Sequence, residues 1–187
     1  SDVDRVLTNS EEVLVTAENW SLDLRRCCEW QHNDPFDADR QIAPRDHIIA
    51  ENCRRAGVSG AVALRPYLHL TPAECAAGRR VDRQVAIHAS GLGASYVFRN
   101  KEWGPSRMQA VVEALRPHFD FVQLGAPGDP PLSGACDLRG QTTPRESAAI
   151  LSASKFFIGQ VGFLMHLARA VDRPAVIIYG GREHPEQ

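Results

Sequence analysis

The sequence predicts an α/β protein built around a parallel sheet with helices on both of its faces. From residue 83 onward, short apolar runs alternate with stretches in which apolar residues recur at helical spacing. The apolar runs contain few polar residues, which is typical of strands buried on both sides of a sheet. Two Thr-Pro-x-Glu segments, at residues 71–74 and 143–146, are typical helix starts. Strands that alternate with helices form parallel sheets, and this order therefore predicts the fold class.

The first forty residues carry the weakest structural signals. A short strand is predicted at residues 13–15, and an amphipathic helix at residues 19–30. The polar, turn-rich stretch at residues 31–40 predicts a loop.

The signals between residues 44 and 84 are clearer. Helical spacing predicts a helix over residues 44–56, and Gly57 is placed to cap its C-terminal end. A short strand is predicted at residues 61–64. The first Thr-Pro-x-Glu segment then begins a further helix with Thr71 as its N-cap. The polar segment at residues 76–84 predicts a linker or a domain edge.

After this linker, strands and helices alternate regularly. A buried strand is predicted at residues 85–89, a helix at 105–115 and a second strand at 119–124. Residues 126–140 are rich in glycine and proline and predict a loop. The second Thr-Pro-x-Glu segment begins a helix over residues 143–152.

The last part of the alternating region contains two glycine loops. A buried strand at residues 156–158 is followed by Gly162, which opens the turn into a helix with apolar residues at helical spacing. A final strand is predicted at residues 175–179, closed by Gly180 and Gly181. A loop-to-helix junction after a parallel strand presents backbone N–H groups at the positive end of the helix dipole, which suits a phosphate-bearing ligand.

Composition excludes several classes of function. The 187 residues carry a net charge of −2, and the basic residues are scattered, so no nucleic-acid surface is indicated. No apolar stretch is long enough for a membrane span, and no signal peptide opens the sequence. The five cysteines contain no C-x-x-C pair and the histidines are spread out. We expect reduced thiols in a cytoplasmic protein, with no metal site.

Three loops follow the carboxyl ends of predicted strands and are expected to meet in space. In the first, Ser90 and Gly91 allow close backbone approach, and Lys101 lies next but one to Trp103. A lysine in such a loop can neutralise a phosphate, although a solvated surface lysine explains the same position.

The second and third loops each offer a candidate at a helix N-terminus. Thr143 is explained as a helix cap, which leaves Thr142 as a candidate for binding phosphate. In the third loop, Gly162 precedes a helix that carries His166 in its first turns. A histidine in an apolar helix is either functional or a core residue with its hydrogen bonds satisfied, and both interpretations stay open.

Taken together, these loops resemble the C-terminal half of the bacterial heptosyltransferase-like glycosyltransferases of family 9, which have the GT-B fold. The resemblance covers roughly residues 44–182. It rests on the order and spacing of several motifs, namely IHASG with KEWGPSR, DLRGQTTPRE, GQVGFLMHLARA and RPAVIIYG.

The resemblance implies two Rossmann-like domains facing across a cleft. It assigns residues 1–82 to part of an N-terminal acceptor-side domain and a linker, and residues 83–187 to a C-terminal domain that binds a nucleotide-diphospho-sugar. It implies sugar transfer with inversion, without a metal or other cofactor, to a polysaccharide, lipopolysaccharide or protein acceptor on the cytoplasmic side, with contact to the inner face of the membrane. The implied donor-binding residues are Ser90, Gly91, Lys101, Trp103, Thr142, Gly162, Met165, His166 and Gly180.

The chain departs from the family pattern in two ways. Where the family has Asp-Ser-Gly-Pro, this sequence has Val161, Gly162, Phe163 and Leu164, and in the family the aspartate contacts the sugar or donor. The region before residue 83 is also short, with no glycine-rich first strand and no candidate for the family's catalytic aspartate. We therefore expect the sequence to be a fragment of a longer enzyme, with the catalytic base outside the residues that the motifs cover.

Three functional hypotheses follow. The first is a glycosyltransferase, supported by Lys101, Trp103 and the Met165–His166 pair. The second is a non-catalytic nucleotide-sugar-binding or scaffold module of the same fold, supported by Val161. The third, a nucleotide-sugar epimerase of the same fold, lacks the clustered acids and histidines that its chemistry needs.

Overall fold

The computed structural model describes residues 47, 49–50, 53, 57–94 and 97–180 of the chain. The chain divides into two compact units, Ser1–Leu64 and Arg65–Gln187. The elements predicted at residues 13–15, 19–30 and 31–40 lie outside the described residues, as does Gly181.

In the first unit, the described residues show the end of a helix. Residues 49, 50 and 53 are helical, and Gly57 has a φ of +71°. The Val58 N–H donates to the Cys53 carbonyl at 2.9 Å, which is the long backbone bond of a helix ending in a left-handed glycine. The predicted C-terminal cap at Gly57 is therefore confirmed.

The short strand predicted just after this helix is wrong. Residues 61–64 form no strand, and the Leu64 side chain is exposed. Two of the four residues are alanines, and three of the four are exposed, so the segment buries too little apolar surface to join a sheet.

The second unit contains a five-stranded sheet with the strand order β3-β2-β1-β4-β5, and every pair of neighbouring strands is parallel. The predicted fold class, a Rossmann-like parallel sheet, is confirmed. The elements in chain order are α1 (Pro72–Ala77), β1 (Gln84–Ile87), a 3₁₀ turn (Arg99–Lys101), α2 (Pro105–Leu115), β2 (Asp120–Gln123), β3 (Ala135–Asp137), α3 (Pro144–Ala153), β4 (Phe157–Gln160), α4 (Phe163–Ala170) and β5 (Ala175–Ile178).

The strand order places a topological switch point between β1 and β4. From β1 the chain adds β2 and then β3 on one side, and afterwards returns to add β4 and β5 on the other side. Ile87 near the end of β1 pairs with Gln123 of β2 and with Ile158 of β4. In parallel sheets, a crevice opens at the carboxyl ends of the strands at such a point, and ligands bind there.

Two hydrophobic cores cover the two faces of the sheet, as predicted. Val85 and Ile87 of β1 point to one face and pack with Met108 and Val112 of α2. Ala86 of the same strand points to the other face. The second core contains residues of β1, β2, α3, β4 and α4, among them Ala86, Val122, Leu124, Ile150, Leu151, Phe157, Leu164 and Leu167.

Both predicted capping boxes are confirmed. The Thr71 and Thr143 side chains each accept a hydrogen bond from the backbone N–H of the glutamate three residues later, and each glutamate accepts one in return. Glu74 of the first box also forms an ion pair with Arg145 in the first turn of α3. This pair links α1 to α3, so residues 65–82 pack with the sheet as part of the second unit.

The prediction of a continuous loop at residues 126–140 is wrong, because it contains β3. This strand has only three residues, two of them exposed, and lies at the edge of the sheet. It exists through its pairing with β2, where Phe121 and Gln123 align with Ala135 and Asp137. A sequence window cannot detect a strand whose main support is a distant partner.

Candidate functional site

A cleft of about 480 Å³ opens at the carboxyl ends of β1, β2 and β4, next to the switch point. The loop after β1 contributes His88 and Gly91, and the 3₁₀ turn contributes Lys101. The loop after β2 contributes Asp129. The start of α3 and the junction from β4 to α4 close the cleft with Thr142, Pro144, Ser147, Gln160, Val161, Gly162, Phe163 and Leu164.

Four of the predicted donor-binding residues line this cleft. Gly91 and Lys101 come from the loop after β1, Thr142 from the loop before α3 and Gly162 from the loop after β4, and the sheet brings these three loops together. Thr142 lines the wall of the cleft, and its hydroxyl forms a hydrogen bond with the Ser147 hydroxyl at 2.8 Å.

The other five predicted residues, Ser90, Trp103, Met165, His166 and Gly180, do not line the cleft. Ser90 is fully buried, and its Oγ accepts a hydrogen bond from the Leu92 N–H at 3.1 Å. It shapes the turn after β1, since it fixes the backbone on either side of Gly91.

Trp103, Met165 and His166 have other surroundings. Trp103 packs against the core under α2, and Met165 packs against the core under α4. His166 is exposed on α4, so the alternative of a core histidine is wrong.

Gly180 supports the cleft from behind the 3₁₀ turn. A Cβ at this position would lie 2.4 Å from the Lys101 Cα and 2.5 Å from the Asn100 carbonyl oxygen, so only glycine permits this approach. The Lys101 Nζ lies 5.3 Å from the centre of the Phe98 ring. Gly180 therefore positions the backbone that carries Lys101.

Asp129 was not predicted from the sequence. It is the most buried carboxylate among the described residues that line the cleft, and its side chain is 1% exposed. Oδ1 accepts from the Gly93 N–H at 2.8 Å, and Oδ2 accepts from the Ala126 N–H at 2.7 Å. The His88 Nε2 lies 3.5 Å from Oδ2. One carboxylate thus joins the loops after β1 and β2.

These contacts also set the ionisation of Asp129. Burial alone raises the pKa of this carboxyl, but the hydrogen bonds from His88, Gly93 and Ala126 outweigh it and hold the pKa below its ordinary value. Asp129 is therefore a structural anion at neutral pH.

Glu102 was also not predicted, although it lies between Lys101 and Trp103 in the KEWGPSR motif. Its Oε1 accepts from the Gly91 N–H at 2.7 Å. The Gln160 side-chain amide donates to Glu102 Oε2 at 3.4 Å and to the Ala89 carbonyl at 3.1 Å. Glu102 therefore ties the 3₁₀ turn to the loop after β1 and to the end of β4.

Little in the sequence signals these two acids. Asp129 lies in a proline-rich segment without periodicity, and its hydrogen-bond partners come from residues 93 and 126. Glu102 lies in the KEWGPSR motif, and His88, the partner of Asp129, lies in the IHASG motif. Their positions in these motifs were the available signal.

The N-terminus of α4 faces the cleft. Gly162 is the N-cap and has no side chain to accept hydrogen bonds from the first turn. The Met165 N–H donates to the Gly162 carbonyl at 3.1 Å. The first N–H groups of a helix have no acceptor in a preceding turn, so those of Phe163 and Leu164, which line the cleft, can bind an acceptor there.

Two other properties concern only the part of the chain that the structure describes. That part contains no group of three or more His, Cys, Asp or Glu residues arranged to hold a metal ion. None of its helices is long and apolar enough to cross a membrane.

The structure resembles solved glycosyltransferases. It matches the family 9 glycosyl transferase of Veillonella parvula with a TM-score of 0.59 and 13% identity, over 73% of this chain and 44% of that one. It matches ADP-heptose lipopolysaccharide heptosyltransferase II of Escherichia coli with a TM-score of 0.57 and 18% identity, over 71% of this chain and 46% of that one. A dodecameric iron-containing glycosyltransferase of enterotoxigenic E. coli matches with a TM-score of 0.51 and 20% identity, over 80% and 38% of the two chains.

These likenesses establish the fold, an α/β arrangement shared with GT-B glycosyltransferases. The chain spans less than half the length of each of the three structures. No protein-family model and no curated protein matches the sequence.

Proposed function

We propose that this chain is the donor-binding part of a glycosyltransferase that moves a sugar from a nucleotide-diphospho-sugar. The observation that carries the proposal is the cleft at the switch point of a glycosyltransferase-like sheet, where Gly91, Lys101, Thr142 and Gly162 converge. Ligands in open α/β folds bind at this position.

The cleft has groups suited to a diphosphate leaving group. When the sugar–oxygen bond breaks, negative charge grows on the diphosphate. Lys101 and the start of α4 line the cleft, and the backbone N–H groups there are fixed by the helix. Fixed donors of this kind stabilise developing charge without reorganising, and removing one typically costs about 10²–10³ in rate. This chemistry supports transfer without a metal.

The acceptor and its base lie outside this cleft in our proposal. Among the described residues that line it, the groups that can accept a proton include the carboxylates of Glu102 and Asp129 and the imidazole of His88, whose Nε2 lies 3.5 Å from Asp129 Oδ2. Glu102 accepts a hydrogen bond from the loop after β1, and Asp129 accepts one from that loop and one from the loop after β2. A general base must be able to accept the proton of the acceptor hydroxyl. We assign that role to an acceptor side outside the five-stranded sheet. We further propose a glycan or glycolipid acceptor, inversion at the sugar, and action at the cytoplasmic face of the membrane.

Calorimetric titration of the chain with UDP, GDP, ADP and CMP tests the donor site. We expect one nucleoside diphosphate to bind selectively and Lys101→Ala to weaken that binding by at least tenfold with an unchanged melting temperature. The matched control is Lys155→Ala, because Lys155 is an exposed lysine just before β4, at the amino-terminal end of that strand, whereas the cleft lies at the carboxyl ends. Binding that is equal in wild type and Lys101→Ala contradicts the diphosphate site.

A second candidate function is a nucleotide-sugar-binding module without transfer activity. Val161 favours it, because this residue lines the cleft where the resembled family has an aspartate. The two functions differ in turnover. Release of the free nucleoside diphosphate from the selected donor supports transfer or hydrolysis, and tight binding without release, in the presence of acceptor glycans, supports the module.

A further inference from the structure

We propose that the His88 imidazole gains a proton when the donor binds and, as an imidazolium, becomes a second cation that holds the diphosphate together with Lys101. This inference rests on the proposed function, because it adds a binding residue to the same site and makes donor binding depend on pH. It is carried by the position of the ring, by its contact with Asp129 and by the charges that line the cleft.

His88 lies at the switch point of the sheet. It directly follows β1, the strand between β2 and β4. Its backbone N–H donates to the Ile158 carbonyl of β4 at 2.9 Å. Two residues after the end of β4, Gly162 begins the turn into α4, whose first N–H groups are the proposed phosphate donors. His88 therefore lines the cleft between the loop after β2 and this helix start.

The two edges of the imidazole ring have different surroundings. Nε2 lies 3.5 Å from Asp129 Oδ2. Cδ2, on the same edge, is turned toward Gly125, where an added Cβ would lie 3.2 Å from it. Nδ1 is on the other edge. Within the described part of the chain, Nδ1 has no hydrogen-bond partner, and it is not one of the buried polar atoms that lack one, so it is accessible to solvent. Since the His88 side chain is 16% exposed and lines the cleft, Nδ1 is the ring nitrogen that a ligand can reach.

Asp129 determines which nitrogen of the ring is turned to the ligand. Its carboxylate is held in place by the N–H groups of Gly93 and Ala126. A Cβ at Gly125 would overlap this carboxylate, so the glycine leaves the room that the pair needs. A carboxylate next to Nε2 favours a proton on that nitrogen, so in the neutral ring Nδ1 has the lone pair and is the atom that gains a proton. Asp129 is thus a positioning residue for His88.

The charges that line the cleft favour a second cation. Among the described lining residues, Lys101 is positive, and Glu102 and Asp129 are negative. Apart from His88, these lining residues contain no other titratable side chain. With a neutral His88 the lining has a net charge of −1, which opposes the binding of an anion. A proton on Nδ1 raises this charge to zero and adds an N–H donor for a phosphate oxygen. Diphosphate binding and protonation of His88 therefore favour each other.

This linkage has a direction and a size. Histidine changes its charge between about pH 5 and 8, so the affinity for a diphosphate should rise as the pH falls through this range. A hydrogen bond from a charged donor contributes about 10- to 100-fold to binding. At high pH the neutral ring presents a lone pair to the phosphate oxygen, and this contribution should disappear.

The experiment is a calorimetric titration of wild type and His88→Gln at about pH 6 and about pH 8.5. The ligand is the nucleoside diphosphate that wild type binds most tightly among UDP, GDP and ADP. Glutamine keeps an N–H group toward Asp129 and cannot become charged. Because both proteins bind the same ligand, the ionisation of the ligand cancels in the ratio of their Kd values. We expect His88→Gln to bind at least about tenfold more weakly than wild type near pH 6 and at most about threefold more weakly near pH 8.5.

A control variant and a second measurement accompany this titration. His118→Gln removes an exposed histidine just before β2, away from the carboxyl ends of the strands, and should bind like wild type at both pH values. If His88→Gln fails to fold, ¹⁵N NMR of the assigned His88 ring in wild type reports its charge directly. Near pH 7.5, saturation with the diphosphate should convert His88 from the neutral to the charged form.

The outcomes separate this inference from the proposed function. An equal loss of affinity in His88→Gln at both pH values overturns the inference, because the pair with Asp129 then only joins two loops. Equal binding by wild type and His88→Gln at both pH values overturns it as well, and so does a His88 ring that stays neutral at saturation. In each of these cases, binding that depends on Lys101 still upholds the donor site. Absence of binding by every nucleoside diphosphate removes the proposed function, and the inference falls with it.

Discussion

The His88 imidazole and the Asp129 carboxylate lie 3.5 Å apart, measured from Nε2 to Oδ2, and this pair joins the ends of β1 and β2 beneath the cleft. Asp129 also holds the backbone N–H groups of Gly93 and Ala126. Two loops that line the proposed donor site thus depend on a single buried anion, and their geometry is set before any ligand arrives.

The first prediction concerns this anion. We expect Asp129→Asn to lower the free energy of unfolding by about 1–3 kcal/mol, since an amide can accept only one of the two backbone hydrogen bonds and turns an NH₂ group toward the other donor. Chemical denaturation measures the loss. Asp82→Asn is the matched control, because Asp82 is an exposed aspartate before β1, and it should change stability little.

The same variant should change how the free energy of unfolding depends on pH under acidic conditions. The pKa of Asp129 in the folded protein lies below its ordinary value of 3.8. Its contribution is therefore complete above that value and is lost as the pH falls through the folded pKa. We expect wild type and Asp129→Asn to differ most near neutral pH and to converge below about pH 4. A difference that stays constant down to low pH contradicts an anionic role.

The second prediction concerns the link between α1 and α3. The Arg145 guanidinium, together with the backbone and hydroxyl of Thr71, lowers the pKa of Glu74 to about 2. The stabilisation by this carboxylate is present above its ordinary value of 4.5 and is lost as the pH falls toward 2. Glu74→Gln should therefore be less stable than wild type near neutral pH and similar to it at pH 2.

A double-mutant cycle checks the partner of Glu74. If the ion pair operates, Glu74→Gln and Arg145→Gln should have effects that do not add, since both remove the same contact. Strictly additive effects would leave the capping box as the sole role of Glu74.

The sequence predicts the local features of this fold well. The capping boxes at Thr71 and Thr143 were found because all their partners lie within three residues. Helix α2 was predicted with the bounds that the structure shows, since Met108 and Val112 repeat at helical spacing. Strand β3 was missed because its support comes from β2, more than ten residues earlier.

The candidate site divides in the same way. Lys101 and Gly162 were selected from their positions in strand-to-helix loops, and the structure places both at the cleft. Asp129 was missed since its role depends on hydrogen bonds to two loops that meet only in the folded sheet. Trp103 was selected as a donor-binding residue, whereas its side chain packs against the core. A sequence alone does not distinguish an aromatic side chain that packs against the core from one that contacts a ligand.

The third prediction separates charge from hydrogen bonding at Glu102. We expect Glu102→Ala to weaken nucleoside diphosphate binding by about tenfold or more, because the N–H of Gly91 loses its acceptor and the loop after β1 is released. Glu102→Gln can keep its oxygen toward the Gly91 N–H and gives up the longer contact with the Gln160 amide. It also removes a negative charge from the cleft, so it should bind the anion more tightly than Glu102→Ala.

Calorimetry on both variants measures this difference. Glu113→Ala is the control, because Glu113 is an exposed glutamate on α2. Equal weakening by the alanine and glutamine variants would mean that the charge of Glu102, rather than its hydrogen bond to Gly91, matters for binding.

The fourth prediction tests the close contact behind Lys101. Gly180→Ala places a Cβ against the backbone of residues 100 and 101, and neither a Cα nor a carbonyl group can rotate away as a flexible side chain would. The 3₁₀ turn must shift, at a cost of about 1–3 kcal/mol in stability. Because a displacement of about 1 Å can cost 10²-fold in function, diphosphate affinity should fall about as far as in Lys101→Ala.

Gly162→Ala is the steric control, since its Cβ meets no atom within 4 Å and its backbone is extended, so its melting temperature should match that of wild type. Normal diphosphate binding by Gly180→Ala would show that the position of Lys101 does not depend on this contact.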